Sequence, residues 1–167
     1  MKFADVDRED FPHLIALNES CIPHVNSIAE SDLDDFLIQA TCFCKLVDEE
    51  KNLGGFVIAL QPGKPYDSVN YRWFERAYES FLYIDRIMIS PASRRQGLAS
   101  QIYLELIALA NARSIPRLCC EVNLKPANPE SQQLHHSLGF LSVGTQYTEN
   151  RTKQVDLLVK NLTSEAS

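Results

Sequence analysis

Arg94-Arg95-Gln96-Gly97-Leu98-Ala99 brings together residue types suited to holding a polyanion. A glycine-bearing turn that opens a helix presents backbone N–H groups and a positive dipole end to an anion. Two arginines in the same turn add mobile positive charge, and the combination suits a diphosphate. Such a turn needs a strand leading in and a helix leading out. Phe81–Ile89, dominated by Phe, Tyr, Ile and Met, predicts the strand. Leu98–Arg113 predicts the helix, with Leu98, Ile102, Leu106, Leu109 and Ala110 on its inner face and Ser100, Gln101 and Glu105 on a more polar one.

The remaining elements follow from periodicity and punctuation. Residues 2–6 predict a first strand, and Asp7 then caps a helix over about residues 8–20 with a partial stripe of Phe11, Leu14, Ile15 and Leu17-Asn18. Cys21–Ala29 reads as a loop, and Ser31 or Asp32 starts a short helix with Leu33, Phe36 and Leu37 inward. Cys42–Val47 and Phe56–Leu60 predict a hairpin. Between Gln61 and Ser80, Pro62-Gly63-Lys64-Pro65 breaks structure, and Tyr66, Tyr71, Trp73, Phe74 and Tyr78 interleave with charges. These aromatics either wall a ligand pocket or cover an edge of the core. Leu118–Val122 predicts a further strand. Asn128-Pro129 opens another helix that stops at Gly139, and two last strands are expected at Phe140–Tyr147 and Gln154–Val159. One α/β domain over residues 1–162 and a short tail at 163–167 are expected.

Composition bounds the function. With 167 residues, 45 % hydrophobic and 23 % charged, the chain can bury a real core. A net charge of −6 argues against general nucleic-acid binding and tolerates a cationic acceptor such as a small amine. No apolar run approaches the roughly 20 residues of a membrane span. The acidic N-terminal residues Asp5 and Asp7 do not suit a signal peptide, so a cytoplasmic location is expected. The five cysteines, Cys21, Cys42, Cys44, Cys119 and Cys120, form no convincing disulfide framework. Neighbours on a strand face opposite ways, so Cys119 and Cys120 are poorly placed to chelate one metal, and no metal is expected. Buried reduced thiols are the expectation.

The pattern Arg-x-x-Gly-x-Ala at 94–99 after a strand resembles motif A of the GNAT-type N-acetyltransferases. The run Asn128-Pro129-Glu130-Ser131-Gln132-Gln133-Leu134-His135-His136-Ser137-Leu138-Gly139-Phe140 resembles that superfamily's second signature. In that signature an Asn opens a helix, a small residue follows three positions later, a Tyr or His seven positions later, and Leu-Gly-Phe ends it. Two motifs in order, with one helix and one strand between, are more specific than either alone. Within the superfamily, the His in the helix is similar to members that acetylate small amines, such as phosphinothricin-type acetyltransferases. The resemblance implies a mixed, mostly antiparallel sheet of six to seven strands flanked by about four helices, with the fourth and fifth strands splayed. It implies acetyl-CoA as cosubstrate. The backbone of Ile87, Met88 and Ile89 would pair with pantetheine amides, and Ile89 N–H would meet the thioester carbonyl. The turn Arg94, Arg95, Gln96, Gly97, Leu98, Ala99 and Ser100 would hold the pyrophosphate, and Asn128 and Ser131 would lie along the cofactor. Homodimers are common among such relatives.

The implied chemistry sets further demands. An alkyl ammonium with a pKa near ~10.4 must lose a proton before it attacks a thioester. The oxyanion must be stabilised and the departing thiolate protonated. For the thiolate acid the resemblance points to His135, where many members carry Tyr; an imidazolium can donate a proton. For the base, Asp85 shares a strand face with Tyr83, Ile87 and Ile89, unless it serves only to pair with Arg86 or Arg117. The commonest position for a base on this strand is occupied here by Tyr83. Glu121 on the neighbouring strand is the second candidate, and Glu19 at the end of the first helix the third. A water chain could replace all three. The expected activity is direct acetyl transfer to the primary amine of a small molecule. The alternatives are a protein N-terminus or lysine as acceptor, or a degenerate acyl-CoA-binding sensor or scaffold.

Overall fold

The computed structural model describes residues 1–162, so the tail expected at 163–167 lies outside the described residues. In chain order the elements are β1 (Lys2–Asp5), α1 (Phe11–Glu19), α2 (Glu30–Gln39), β2 (Cys42–Val47), β3 (Leu53–Leu60), α3 (Val69–Ala77), β4 (Leu82–Ile89), α4 (Leu98–Ala112), β5 (Arg117–Lys125), α5 (Pro129–Ser137), β6 (Leu141–Thr148) and β7 (Lys153–Asn161). The seven strands hydrogen-bond in the order β1-β2-β3-β4-β5-β7-β6. Two compact units share this chain: Met1–Leu60 with Ile84–Tyr103, and Gln61–Tyr83 with the residues from Leu104 onward.

In the first unit, Asp7 caps the expected helix. Its carboxylate accepts the Glu9 N–H at 2.9 Å, while the Asp10 carboxylate accepts the Asp7 N–H at 2.9 Å. The first turn, Arg8–Asp10, is 3-10, and the α-helix begins at Phe11 with Pro12 in its first turn, where a missing N–H costs no hydrogen bond. The α2 helix buries Leu33 and Phe36, whereas Leu37, expected inward, is 39 % exposed. One residue is about 100° of helix rotation, enough to carry Leu37 off the buried face. The alternation of β2 points Phe43 at Phe36, with ring centroids 6.4 Å apart, and Lys45 at the Asp10 carboxylate, 2.6 Å away. Leu46, facing the opposite way, is fully buried.

The second unit explains the aromatic run. Tyr71 and Phe74 sit on one side of α3 and are fully buried, their rings packed on Phe81 and Tyr83 at 5.4–6.3 Å. The Tyr71 hydroxyl donates to the Gln61 carbonyl at 2.7 Å and accepts the Lys64 N–H at 3.1 Å, which pins the Pro-Gly segment. These two aromatics therefore cover the core, and with α3 the described residues hold five α-helices, in keeping with the expectation of about four. In the sheet, β7 lies between β5 and β6 and pairs antiparallel with both. The β4 strand pairs parallel with β5 at Leu82–Leu118 and Tyr83–Cys119.

At Gly55, β3 lies close against β4: an added Cβ would run into the Met88 carbonyl oxygen and lie 3.2 Å from Ile89 Cδ1. Gly55→Ala must therefore push the strands apart. We expect a loss of about 1–3 kcal/mol, read as a lower urea midpoint at unchanged m-value. An unchanged midpoint would show that β4 yields there without cost.

Candidate active site

The turn after β4 is built to face outward. Ser90 N–H donates to the Gly54 carbonyl and Ser93 N–H to the Ser90 carbonyl, both at 2.9 Å, so the chain is fixed up to Ser93, which is buried. Arg94, Arg95, Gln96 and Gly97 are then exposed. Arg95 has φ 59° and Gly97 φ 73°. Left-handed residues redirect the backbone N–H groups of a turn, and such residues recur in anion-binding concavities. Gln96 Nε2 braces the turn by donating to the Ala92 carbonyl at 3.2 Å. Buried Leu98 anchors the helix start, and the Gln101 N–H returns to the Gly97 carbonyl at 3.0 Å. The N–H groups of Leu98, Ala99 and Ser100 precede that bond and belong to the helix's unpaired first turn. A Cβ on Gly97 would meet no atom within 4 Å. Glycine stands there for its positive φ, and it leaves space beside the turn.

Asp85 and Glu19, two of the carboxylates considered as bases, are both held in one polar network. Asp85 Oδ2 lies 2.6 Å from Arg86 Nε, and the two side chains are only 4 % and 9 % exposed. Arg86 Nη1 donates to Asn18 Oδ1 at 2.8 Å and to the Asn26 carbonyl at 3.4 Å. Asn18, fully buried, donates through Nδ2 to the Asn26 carbonyl at 3.0 Å and to Glu19 Oε1 at 3.2 Å. Glu19 also receives the Ser27 hydroxyl and the Ile28 N–H, each at 3.0 Å. The Ile28 N–H above all holds its carboxyl below the usual range, against a smaller opposing effect of desolvation. The network ties Asn26–Ile28 to the end of α1 and to β4. Asn18 and Arg86 are joined by a bond that the sequence reading did not anticipate. The available signal was a polar Asn18 seven residues after Phe11 in an otherwise apolar stripe.

In the second unit, Asn128 caps α5 as expected, its Oδ1 accepting the Ser131 N–H at 3.3 Å. Glu121 Oε1 accepts the Tyr83 hydroxyl at 2.8 Å. His135 is 8 % exposed, with Phe140 edge-on at 5.2 Å. Its Nδ1 lies 2.6 Å from the Ser131 carbonyl oxygen and 3.3 Å from Ser131 Oγ. A carbonyl only accepts, so Nδ1 carries the proton and Nε2 presents a lone pair. Burial lowers the His135 pKa, partly offset by the bond to Ser131. Burial thus favours the neutral ring, whereas the acid role implied by the resemblance uses an imidazolium. His136 is exposed, as its position a further 100° round the helix demands. Cys119 and Cys120 are buried, and burial pushes the Cys119 thiol up to about 12, so neither suits a nucleophile.

The chain matches the family model described as the GNAT acetyltransferase family over residues 10–140. It belongs to that family and is an acyl-CoA-dependent N-acetyltransferase. Comparison with curated proteins returns no match. Among solved structures, Ard1 from Thermoplasma volcanium is 11 % identical, covers 98 % of both chains and has a TM-score of 0.79. A NatB acetyltransferase complex bound to CoA and MES is 20 % identical over 98 % of this chain and 100 % of the other, with a TM-score of 0.77. A phosphinothricin acetyltransferase from Sinorhizobium meliloti in complex with acetyl-CoA is 18 % identical over 96 % of this chain and 88 % of the other, with a TM-score of 0.70. At these identities the likeness establishes the fold. Among the described residues, no group of three or more His, Cys, Asp or Glu side chains could hold a metal ion, and no helix is long and apolar enough to cross a membrane.

His135 binds its proton more weakly folded than unfolded. Its contribution to stability is thus intact above the ordinary imidazole value of 6.5 and is lost as pH falls below it. NMR titration should place its midpoint below 6.5, and His135→Gln should flatten the fall in stability over that window. A midpoint at or above 6.5 would restore the imidazolium, and with it the acid role.

Proposed function

We propose that the chain moves the acetyl group of acetyl-CoA directly to the primary amine of a small molecule, with no acyl-enzyme. The observation that carries the cosubstrate is the turn at Arg94–Ser100: two exposed arginines, two left-handed residues and an unpaired helix start around open space. That arrangement supports pyrophosphate binding by the turn, with the backbone of Ile87, Met88 and Ile89 offered to the pantetheine amides. Asn128, whose Oδ1 is committed to the cap, offers its Nδ2 as a donor, and Ser131 its hydroxyl. The inertness of Cys119 and Cys120 supports attack by the amine itself.

For proton transfer the neutral ring of His135 fits a shuttle better than a resting acid. With the amine already neutral, its ammonium proton lost to solvent, Nε2 would take the proton released as the amine adds to the thioester and hand it to the departing thiolate, leaving the ring as it began. Asp85 remains the candidate that sets the charge beside β4, with Arg86 as its counter-ion. Glu121 is held by Tyr83 and would need to leave that phenol to act as a base. Likeness to phosphinothricin acetyltransferase structures supports a small acceptor. A protein N-terminus is the second reading, favoured by the higher TM-scores, 0.77–0.79, of the NatB and Ard1 structures.

Thermal unfolding with acetyl-CoA tests the first step. Ligand at about 100 times its Kd adds roughly 2.7 kcal/mol of stability, and Gly97→Glu should abolish the shift by placing a negative side chain in the turn. No shift in wild type freed of copurified CoA would refute acetyl-CoA binding. CoA release with a panel of small amines and of peptides then decides the acceptor. Turnover confined to peptides would overturn the small-molecule reading, and none with any amine would favour a binding-only domain. His135→Phe should lower turnover more than cofactor affinity; if both are unchanged, His135 is structural.

A further inference from the structure

Cys42 and Cys44 lie two residues apart on β2, so both side chains leave the same face of the sheet. Their sulfurs are in contact at 3.7 Å, with the Cys42 thiol donating to Cys44 Sγ. Both are half-buried, whereas Cys119 and Cys120 are buried. The opposite face of β2 is occupied by Phe43 against Phe36 and by Lys45 on Asp10. Across the ladder, Cys44 faces Asp5 of β1, whose Oδ1 lies 4.0 Å from Cys44 Sγ, and Val57 of β3. The two thiols are not equivalent. The bond from Cys42 pulls the Cys44 thiol down, with burial and Asp5 opposing, and the same bond together with burial pushes Cys42 up.

We propose that Cys42 and Cys44 form a thiol–disulfide exchange site, in which Cys44 attacks a low-molecular-weight disulfide and Cys42 resolves the adduct. In the first step the Cys44 thiolate bonds to one sulfur of the small disulfide. The S–S bond breaks, and one small thiolate leaves and takes up a proton from water. In the second step Cys42 loses its proton and attacks Cys44 Sγ, expelling the other small thiol. The protein gives up two electrons and two protons, and the small disulfide gains both.

The contact between the sulfurs favours the second step over attack by a second small thiol. Cα atoms two residues apart on a strand lie about 6.4–6.8 Å apart, at the long end of the roughly 4.4–6.8 Å range that a disulfide spans. Because β2 is held by β1 on one side and β3 on the other, the backbone has little room to shorten that distance. The bridge would therefore be a labile, reducible one rather than a structural staple.

Treatment with oxidised glutathione, followed by intact-mass analysis and peptide mapping without reductant, tests this. Wild type should lose the mass of two hydrogens in the peptide carrying Cys42 and Cys44, and keep no glutathione there. Cys42→Ser should convert that product into a stable glutathione adduct on Cys44, and Cys44→Ser should slow the reaction to the rate of Cys21. Dithiothreitol should reverse the bridge. A wild-type protein that collects glutathione adducts at Cys42 or Cys44 without closing the bridge would overturn the proposal. So would reaction at Cys21 while the pair stays reduced.

Discussion

The course of β4 from Ile84 to Ile89 is the constraint on which the turn at Arg94–Ser100 depends. A turn can present its N–H groups to a ligand in a fixed geometry only if the strand leading into it is held in place. Three devices hold it in the first unit. Gly55 lets β3 come against the Met88 carbonyl, Ser90 is bonded to Gly54, and Arg86 is tied to Asn18. The turn that follows inherits this rigidity, so its left-handed residues are presented from a fixed base rather than from a mobile loop.

Arg86 also settles what the nearby carboxylates can do. A general base needs a lone pair available to the proton it takes. Asp85 spends its charge on a guanidinium 2.6 Å away, in surroundings that leave both side chains nearly inaccessible. Glu19 spends its own on Ser27 and Ile28. Removing one partner from such a buried pair leaves the other charge uncompensated, which costs more than the pair contributes. In the structure these carboxylates help fix where Asn26–Ile28 and Arg86 of β4 stand.

The parts of the site that were legible in the sequence are those written locally. The Asn128-Pro129 start of α5, its Gly139 stop, the strand into Arg94 and the helix out of Gly97 each rest on neighbours a few residues apart, and each stands as expected within a residue or two. The Arg86–Asn18 bond joins residues 68 apart in the chain, and no spacing rule reaches that far. The aromatics at 66–78 were ambiguous for a different reason. Tyr71 and Phe74 are three apart, a helical spacing, but the charges between them mask it until Phe81 and Tyr83 are seen to receive the rings. Leu37 shows the opposite error: an apolar residue in a helix is inward only if its angle is right, and one step from Phe36 it is not. For His135 the position was readable but its protonation was not, because that depends on the distance to a backbone carbonyl.

In the transfer proposed for this chain, that distance turns the proton economy of the reaction around. With Nδ1–H given to the Ser131 carbonyl at 2.6 Å and the ring buried, the resting group is a neutral acceptor. A tyrosine at this place would hold a proton at rest and need resupply after each thiolate left. In that proposal a neutral imidazole starts empty, is filled by the proton that the neutral amine releases as it adds to the thioester, and is emptied by the departing thiolate. The proton that an ammonium sheds before attack is a separate one and leaves to solvent. Asp85, Glu19 and Glu121 meanwhile are each engaged by partners of their own.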